Sequence, residues 1–186
     1  MKLFFEQFFT DLKSGAVIGC AVIIWMLIEY VLGFHSSRIY IGEWSGYGAW
    51  AVFLIALWIA LRAKRKQFAD RALTWIRGAF FGVVVSLPAA LLIASFLFLY
   101  HLFINPSWTE RNILHREEVM RQRGATEEEI AVWSANAWRF SRLSVQMPLL
   151  VGGIWLGGIA AGTCLGLLLR SKAPEDVDLS GIATRI

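Results

Sequence analysis

The sequence predicts an all-α integral membrane protein: a four-helix bundle with an amphipathic helical hairpin on its outer, periplasmic side, between spans three and four. Three observations predict it. The 186 residues are 57% hydrophobic and only 17% charged, an apolar excess over ordinary soluble chains. Four segments approach the roughly 20 apolar residues a helix needs to cross a hydrocarbon core. A stretch with the chemistry of a water-exposed helix, RGATEEEIAVWSANAW, lies between two of the most apolar runs.

The first span covers 15–34. It is too long for a signal peptide, and the following GFHSSR offers no small-x-small cleavage site, so the span is read as retained. Ahead of it, MKLFFEQFFTDLK puts Phe4, Phe5, Phe8 and Phe9 on one stripe and Glu6, Gln7 and Asp11 elsewhere. That pattern predicts a separate interfacial helix over 1–13 on the cytoplasmic leaflet. The second span covers 44–61 and opens with Trp44, Tyr47 and Trp50, residues suited to a bilayer surface. The third covers 78–103, where Pro88 is expected to kink the helix and free a carbonyl. The fourth covers 147–169.

The net charge of +4 is loop charge rather than a nucleic-acid footprint. Arg62, Lys64, Arg65, Lys66, Arg71 and Arg77 cluster between spans two and three. Lys2 and Lys13 precede span one, and Arg170 and Lys172 follow span four. The positive-inside rule then predicts cytoplasmic N- and C-termini. The segment 104–146, with six Arg and six Glu, falls on the opposite side.

Within that segment Pro106 disfavours helix at Asn105. Ser107 with Glu110, and Thr126 with Glu129, have the spacing of capping boxes that open two helices, over about 108–123 and 127–143. Gly124 between them suits a left-handed stop. Ile130, Trp133, Ala137 and Phe140 form an apolar stripe on the second helix. The pair is expected to serve as a lid, a docking surface or a shielding cap.

Several marks occur in a fixed order: YIG before span two, RGAFFG opening span three, INPSWTE followed by RGATEEEI, and a final Gly-rich span. In that order the chain resembles the bacterial integral-membrane family called domain of unknown function 4199. It departs from the family at Pro106-Ser107-Trp108, where Pro-Asp-Phe is usual, and at ALTWIRG, where a Gly-rich turn is common. It is identified as a divergent member. The resemblance implies four spans and a multi-pass location in a bacterial inner membrane; it implies no activity.

Small residues four apart let helices approach closely in lipid. Gly15 and Gly19, Gly78 and Gly82, Gly153 and Gly157, and Gly158, Gly162 and Gly166 have that spacing. Most fall in the cytoplasmic half of spans one, three and four, which predicts tight packing there and a wider outer half.

Ionisable residues inside spans are functional candidates. Glu29 and His101 lie near the outer ends, with His35, Arg38, Glu43 and Arg142 at the same level. Two readings stand. One is a polar cluster under the hairpin that takes a small amphiphile, a quinone-like head group or a proton. The other is a Glu29 that pairs with an arginine or reaches the interface. His101 is expected to be a hydrogen-bonded surface histidine rather than a pigment ligand. Cys20 and Cys164 are expected as buried free thiols. No metal-ligand spacing and no nucleophile–base set appears, so no catalytic residue, metal or cofactor is expected. The expected role is a non-enzymatic structural or accessory subunit of a larger membrane complex, of respiratory or photosynthetic type. Its partners would be the lipid bilayer and other membrane subunits. The alternative is a small transporter or binder of an amphiphilic, quinone-like or pigment ligand in the outer half of the bundle.

Overall fold

A computed structural model describes residues 2–67 and 74–169. Its helices are α1 (Lys2–Val31), α2 (Ile39–Gln67), α3 (Trp75–Leu99), α4 (Trp108–Gln122), α5 (Glu127–Phe140) and α6 (Leu143–Leu168), with a π-helical turn, Tyr100–Ile104, continuing α3. Four stretches are long and apolar enough to cross a membrane: Phe5–Val31, Ile39–Arg65, Trp75–Ile104 and Leu143–Leu168. The chain is therefore an all-helical, multi-pass membrane protein. Arg71, Arg170 and Lys172 lie outside the described residues, as do the side chains of Phe4 and Glu43.

The separate helix expected over 1–13 is absent: α1 runs unbroken for 30 residues, about 45 Å at roughly 1.5 Å per residue. No proline interrupts it, and Gly15 stays helical. Its polar side chains turn back onto its own backbone: the Thr10 hydroxyl donates to Glu6 O at 2.8 Å and the Ser14 hydroxyl to Thr10 O at 3.0 Å. Buried Asp11 forms an ion pair with Lys64 of α2. The Lys64 ammonium also sits 5.2 Å from the centre of the Phe81 ring. These contacts hold the first turns along the bundle axis rather than across it.

α3 is the central helix, packed most extensively on α6 and then on α1. The glycines decide how close those helices come. A Cβ added at Gly162 would lie 2.5 Å from Gly78 O and 2.9 Å from Gly82 Cα; one at Gly82 would lie 2.5 Å from Gly158 O. A Cβ added at Gly166 would lie 3.0 Å from Gly78 Cα. The order of these contacts makes α3 and α6 antiparallel. On the other side of α3, Gly15 seats the Val85 carbonyl and the Pro88 ring, while Gly19 seats Ala89 at 3.2 Å; α1 and α3 therefore run parallel. Gly157 receives the Trp50 ring of α2 at 3.1 Å, and Gly153 meets nothing within 4 Å.

Two further expectations change. Both cysteines are exposed on the bundle surface. Outward faces of a bundle in lipid are as apolar as inward ones, so hydropathy does not distinguish the two. Pro88 lies inside α3, which continues to Leu99. In the turn before it, the Ser86 hydroxyl donates to Gly82 O at 2.6 Å and the Trp155 indole to Val83 O at 3.2 Å. Ser107 makes no side-chain cap, because its backbone (φ −86°, ψ 4°) is not extended. An extended N-cap is what points the hydroxyl back at the third amide of the helix; here the Pro106 turn prevents it.

The hairpin's second helix is capped as the spacing predicts. Thr126 and Glu129 bond reciprocally, and Gly124 adopts φ +83°. Ala125 N–H donates to Met120 O and Gly124 N–H to Arg121 O, the double bond of a left-handed helix stop. The Ser134 hydroxyl donates to Glu117 at 2.6 Å and Arg121 to Glu127 at 3.1 Å, tying α5 to α4. The hydrogen bond that Arg121 donates to Glu127 raises the Arg121 pKa. Ile113 and Ile130 are the buried apolar residues of the pair.

Candidate functional site

The site begins with two departures from regular helix. α1 ends at a left-handed Gly33 (φ +78°), with Phe34 N–H donating to Glu29 O at 2.9 Å and Gly33 N–H to Tyr30 O at 3.0 Å. This stop reverses the chain and returns His35 to Glu29, six residues back. At the end of α3, Asn105 N–H donates to Tyr100 O at 2.8 Å, a five-residue bond. Such π turns re-aim side chains and occur often at functional sites. Here the turn brings the Asn105 side chain back onto Tyr100.

The result is a continuous chain of polar contacts among buried and half-buried side chains. Arg111 of α4 donates to Asn105 Oδ1. Asn105 Nδ2 lies 3.0 Å from the Tyr100 hydroxyl and 3.4 Å from His35 O. The Tyr100 hydroxyl lies 2.7 Å from His35 Nδ1. His35 Nε2 lies 3.5 Å from Glu29 Oε2. The Trp25 indole donates to Glu29 Oε1 at 2.8 Å and reaches Ser45 O at 3.4 Å. Gly48 makes room for that indole: a Cβ there would be 2.5 Å from the ring.

The chemistry of each group fixes the direction of this chain. A guanidinium only donates, so Asn105 accepts through Oδ1 and must donate through Nδ2. The Tyr100 oxygen therefore accepts from Asn105, and its own proton goes to His35 Nδ1. His35 is then neutral with its proton on Nε2, pointing to Glu29. The carboxylate is the final acceptor. The tautomer follows from the network, since no hydrogen is located directly.

Beside Glu29 lies a cavity of about 200 Å³. Met26 of α1, Phe53 of α2, Ile93 and Leu97 of α3 and Ile154 of α6 supply apolar wall, and Trp50 and Trp108 supply aromatic faces. Among the described residues, Glu29 and His35 are its titratable lining, and no lysine or arginine lines it. Gly42 and Gly46 of α2 line it too; a Cβ at Gly46 would meet nothing within 4 Å. Trp108 packs on His35 and on His101, with centroids 5.4 and 5.2 Å away. It thus joins the cavity to the foot of the hairpin.

Of the sequence candidates, Glu29 is the one at this centre. His101 is adjacent and buried, not on the surface as expected. The π turn tucks it under Trp108, its Nδ1–H donates to Leu97 O at 2.7 Å, and its Nε2 is buried without a partner. Arg38 and Arg142 are exposed and stand apart from the relay. Arg142 precedes α6 without a side-chain cap. Tyr100, Asn105 and Arg111 escaped the sequence reading. The available signal was weak: Asn105 next to Pro106, and Tyr100 at a distance that no regular helix turns back on itself. Among the described residues, no group of three or more His, Cys, Asp and Glu could hold a metal.

Fold and site together define a four-span helical membrane protein with a polar relay beside an apolar cavity. The chain belongs to the family described as Protein of unknown function (DUF4199), whose profile matches residues 13–171. No curated protein and no solved structure matches it.

Proposed function

We propose that the protein is a non-enzymatic membrane protein that binds a small amphiphile in the cavity beside Glu29. One observation carries this reading. An apolar, aromatic-walled space ends on a buried carboxylate that is held in place by a directed hydrogen-bond chain. Apolar walls with few, fixed polar groups are the usual make-up of ligand sites. A Lys/Arg-dense connection between α2 and α3 supports cytoplasmic termini and an inner-membrane location, with the cavity and hairpin toward the outer side. Arg65→Cys and Ala125→Cys, in a background without Cys20 and Cys164, should then label from opposite faces of the membrane; labelling from one face would reverse the topology.

The binding reading is tested with 4-bromobenzyl alcohol, whose bromine quenches nearby indoles. In phosphatidylcholine nanodiscs it should quench the tryptophan emission saturably, and Gly46→Leu, which fills the cavity without touching the relay, should abolish the saturable part. Linear, unsaturable quenching in both proteins would reject the site. A second reading, an accessory subunit of a larger complex, draws on Trp44 and Tyr47 of α2, which are 75% and 69% exposed. An aromatic surface of that kind suits either lipid interface or a partner's span.

A further inference from the structure

We infer that the ligand's head group is cationic: the cavity takes a lipophilic monocation, an ammonium carried on an aryl or short alkyl body. This rests on the cavity reading above and deepens it. Glu29 is 3% exposed and lies within a span. Buried carboxylates are ordinarily paired with a cation. The groups that face this one are the Trp25 indole of α1, His35 of the connecting loop, and, behind His35, Tyr100 of the π turn.

None of them brings a positive charge. The indole is neutral. The hydrogen-bond network leaves His35 neutral as well: Asn105 donates to the Tyr100 oxygen, and among the described residues His35 Nδ1 is the acceptor for the Tyr100 proton. Arg111 is a cation, but its charge is spent on Asn105, at the far end of the relay from the carboxylate. Among the described residues the carboxylate therefore has hydrogen-bonding neighbours, and no lysine or arginine in contact with it. The cavity that adjoins it supplies none from its own lining.

What the lining does supply is aromatic surface. Trp50 and Trp108 both border the space, and indole faces attract organic cations, most strongly where water is excluded. A carboxylate with two indoles and apolar walls around it discriminates a quaternary or tertiary ammonium from a neutral body of the same shape. An anion would meet Glu29 directly and be rejected. The volume suits a small guest: an apolar cavity of about 150 Å³ holds a benzene, so about 200 Å³ admits an aryl ring with a short ammonium head.

The test uses two shape-matched probes, benzyltrimethylammonium and neopentylbenzene, which differ by a charged nitrogen in place of a carbon. Binding to the full chain in zwitterionic phosphatidylcholine nanodiscs is measured by equilibrium dialysis, with empty nanodiscs subtracted. The cation should bind saturably at one site, at least about tenfold more tightly than the hydrocarbon, a gap of about 1.4 kcal/mol. Glu29→Gln, which keeps the shape of the side chain and removes its charge, should erase that preference. Should Glu29→Gln not fold, Gly46→Leu should lose both probes. Equal affinities in the unaltered protein, or a preference that survives Glu29→Gln, would overturn the cation assignment and leave the cavity reading standing. Binding of neither probe would remove both.

Discussion

The two ends of the bundle are built from the same four spans and solve opposite problems. Toward the α2–α3 connection, glycines of α3 and α6 put backbone against backbone, with Gly162 on Gly78 and Gly82, and Gly82 on Gly158. Nothing can be inserted there. Toward the hairpin, α3 and α6 carry Ile93, Leu97 and Ile154 and α2 adds Phe53, which hold the helices apart and leave a cavity. Polar groups divide the same way. The tight end has a direct ion pair, Asp11 with Lys64. The open end has a five-residue relay, from Arg111 to Glu29, with the opposite charges at its two extremes. In lipid, helix association depends on packing and polar contacts rather than on a hydrophobic drive. One end can therefore be locked while the other is kept apart.

The largest effect should come from breaking the locked end. Gly162→Leu adds a side chain whose first carbon already lies 2.5 Å from Gly78 O. Overpacking of this kind against backbone costs about 3 kcal/mol or more, and the variant is expected to lose its thermal transition in mild detergent. Leu149→Ala on the exposed face of α6 should keep its transition. Equal, small shifts in the two would show that the glycine contact does not hold the bundle.

A smaller effect is expected at the open end. Tyr100→Phe removes the hydroxyl that joins Asn105 to His35 and leaves Nδ2 and Nδ1 without that partner. Buried groups left unpaired cost about 1–3 kcal/mol, read as a lowered unfolding midpoint with the fold retained. An unchanged midpoint would mean that the relay contributes nothing to the closed arrangement.

The smallest lies beyond both ends, in the hairpin. The Thr126 backbone N–H and hydroxyl bond the Glu129 carboxylate and hold its pKa below the ordinary 4.5. A lowered folded value means that the stabilisation is complete above 4.5 and fades as pH falls through the folded value. Hydrogen-exchange protection at Glu129 and Ile130, corrected for intrinsic rates, should decline over that acid range while the spans stay protected. Thr126→Val should produce the same local loss at neutral pH. Protection that does not change in either case would exclude a role for the cap.

Much of this was legible in the residues. Composition and run length reveal four spans, because a bilayer demands a minimum length of apolar helix whatever the packing. Gly124 and the Thr126–Glu129 pair reveal the hairpin's turn, since both act within a few residues of backbone. Glycine spacing marks the faces of α3 and α6, because a close approach leaves room for no side chain. Glu29 stands out because an acid inside a span is rare. The fold alone assembled its surroundings. Gly33 brings His35 back to it, the π turn brings Asn105 onto Tyr100, and α4 delivers Arg111. Those partners come from three separate segments, and no local pattern encodes which of them will meet. The continuity of α1 and the outward cysteines belong to the same class. Lipid-facing and buried positions share one apolar alphabet, so only three-dimensional packing tells them apart.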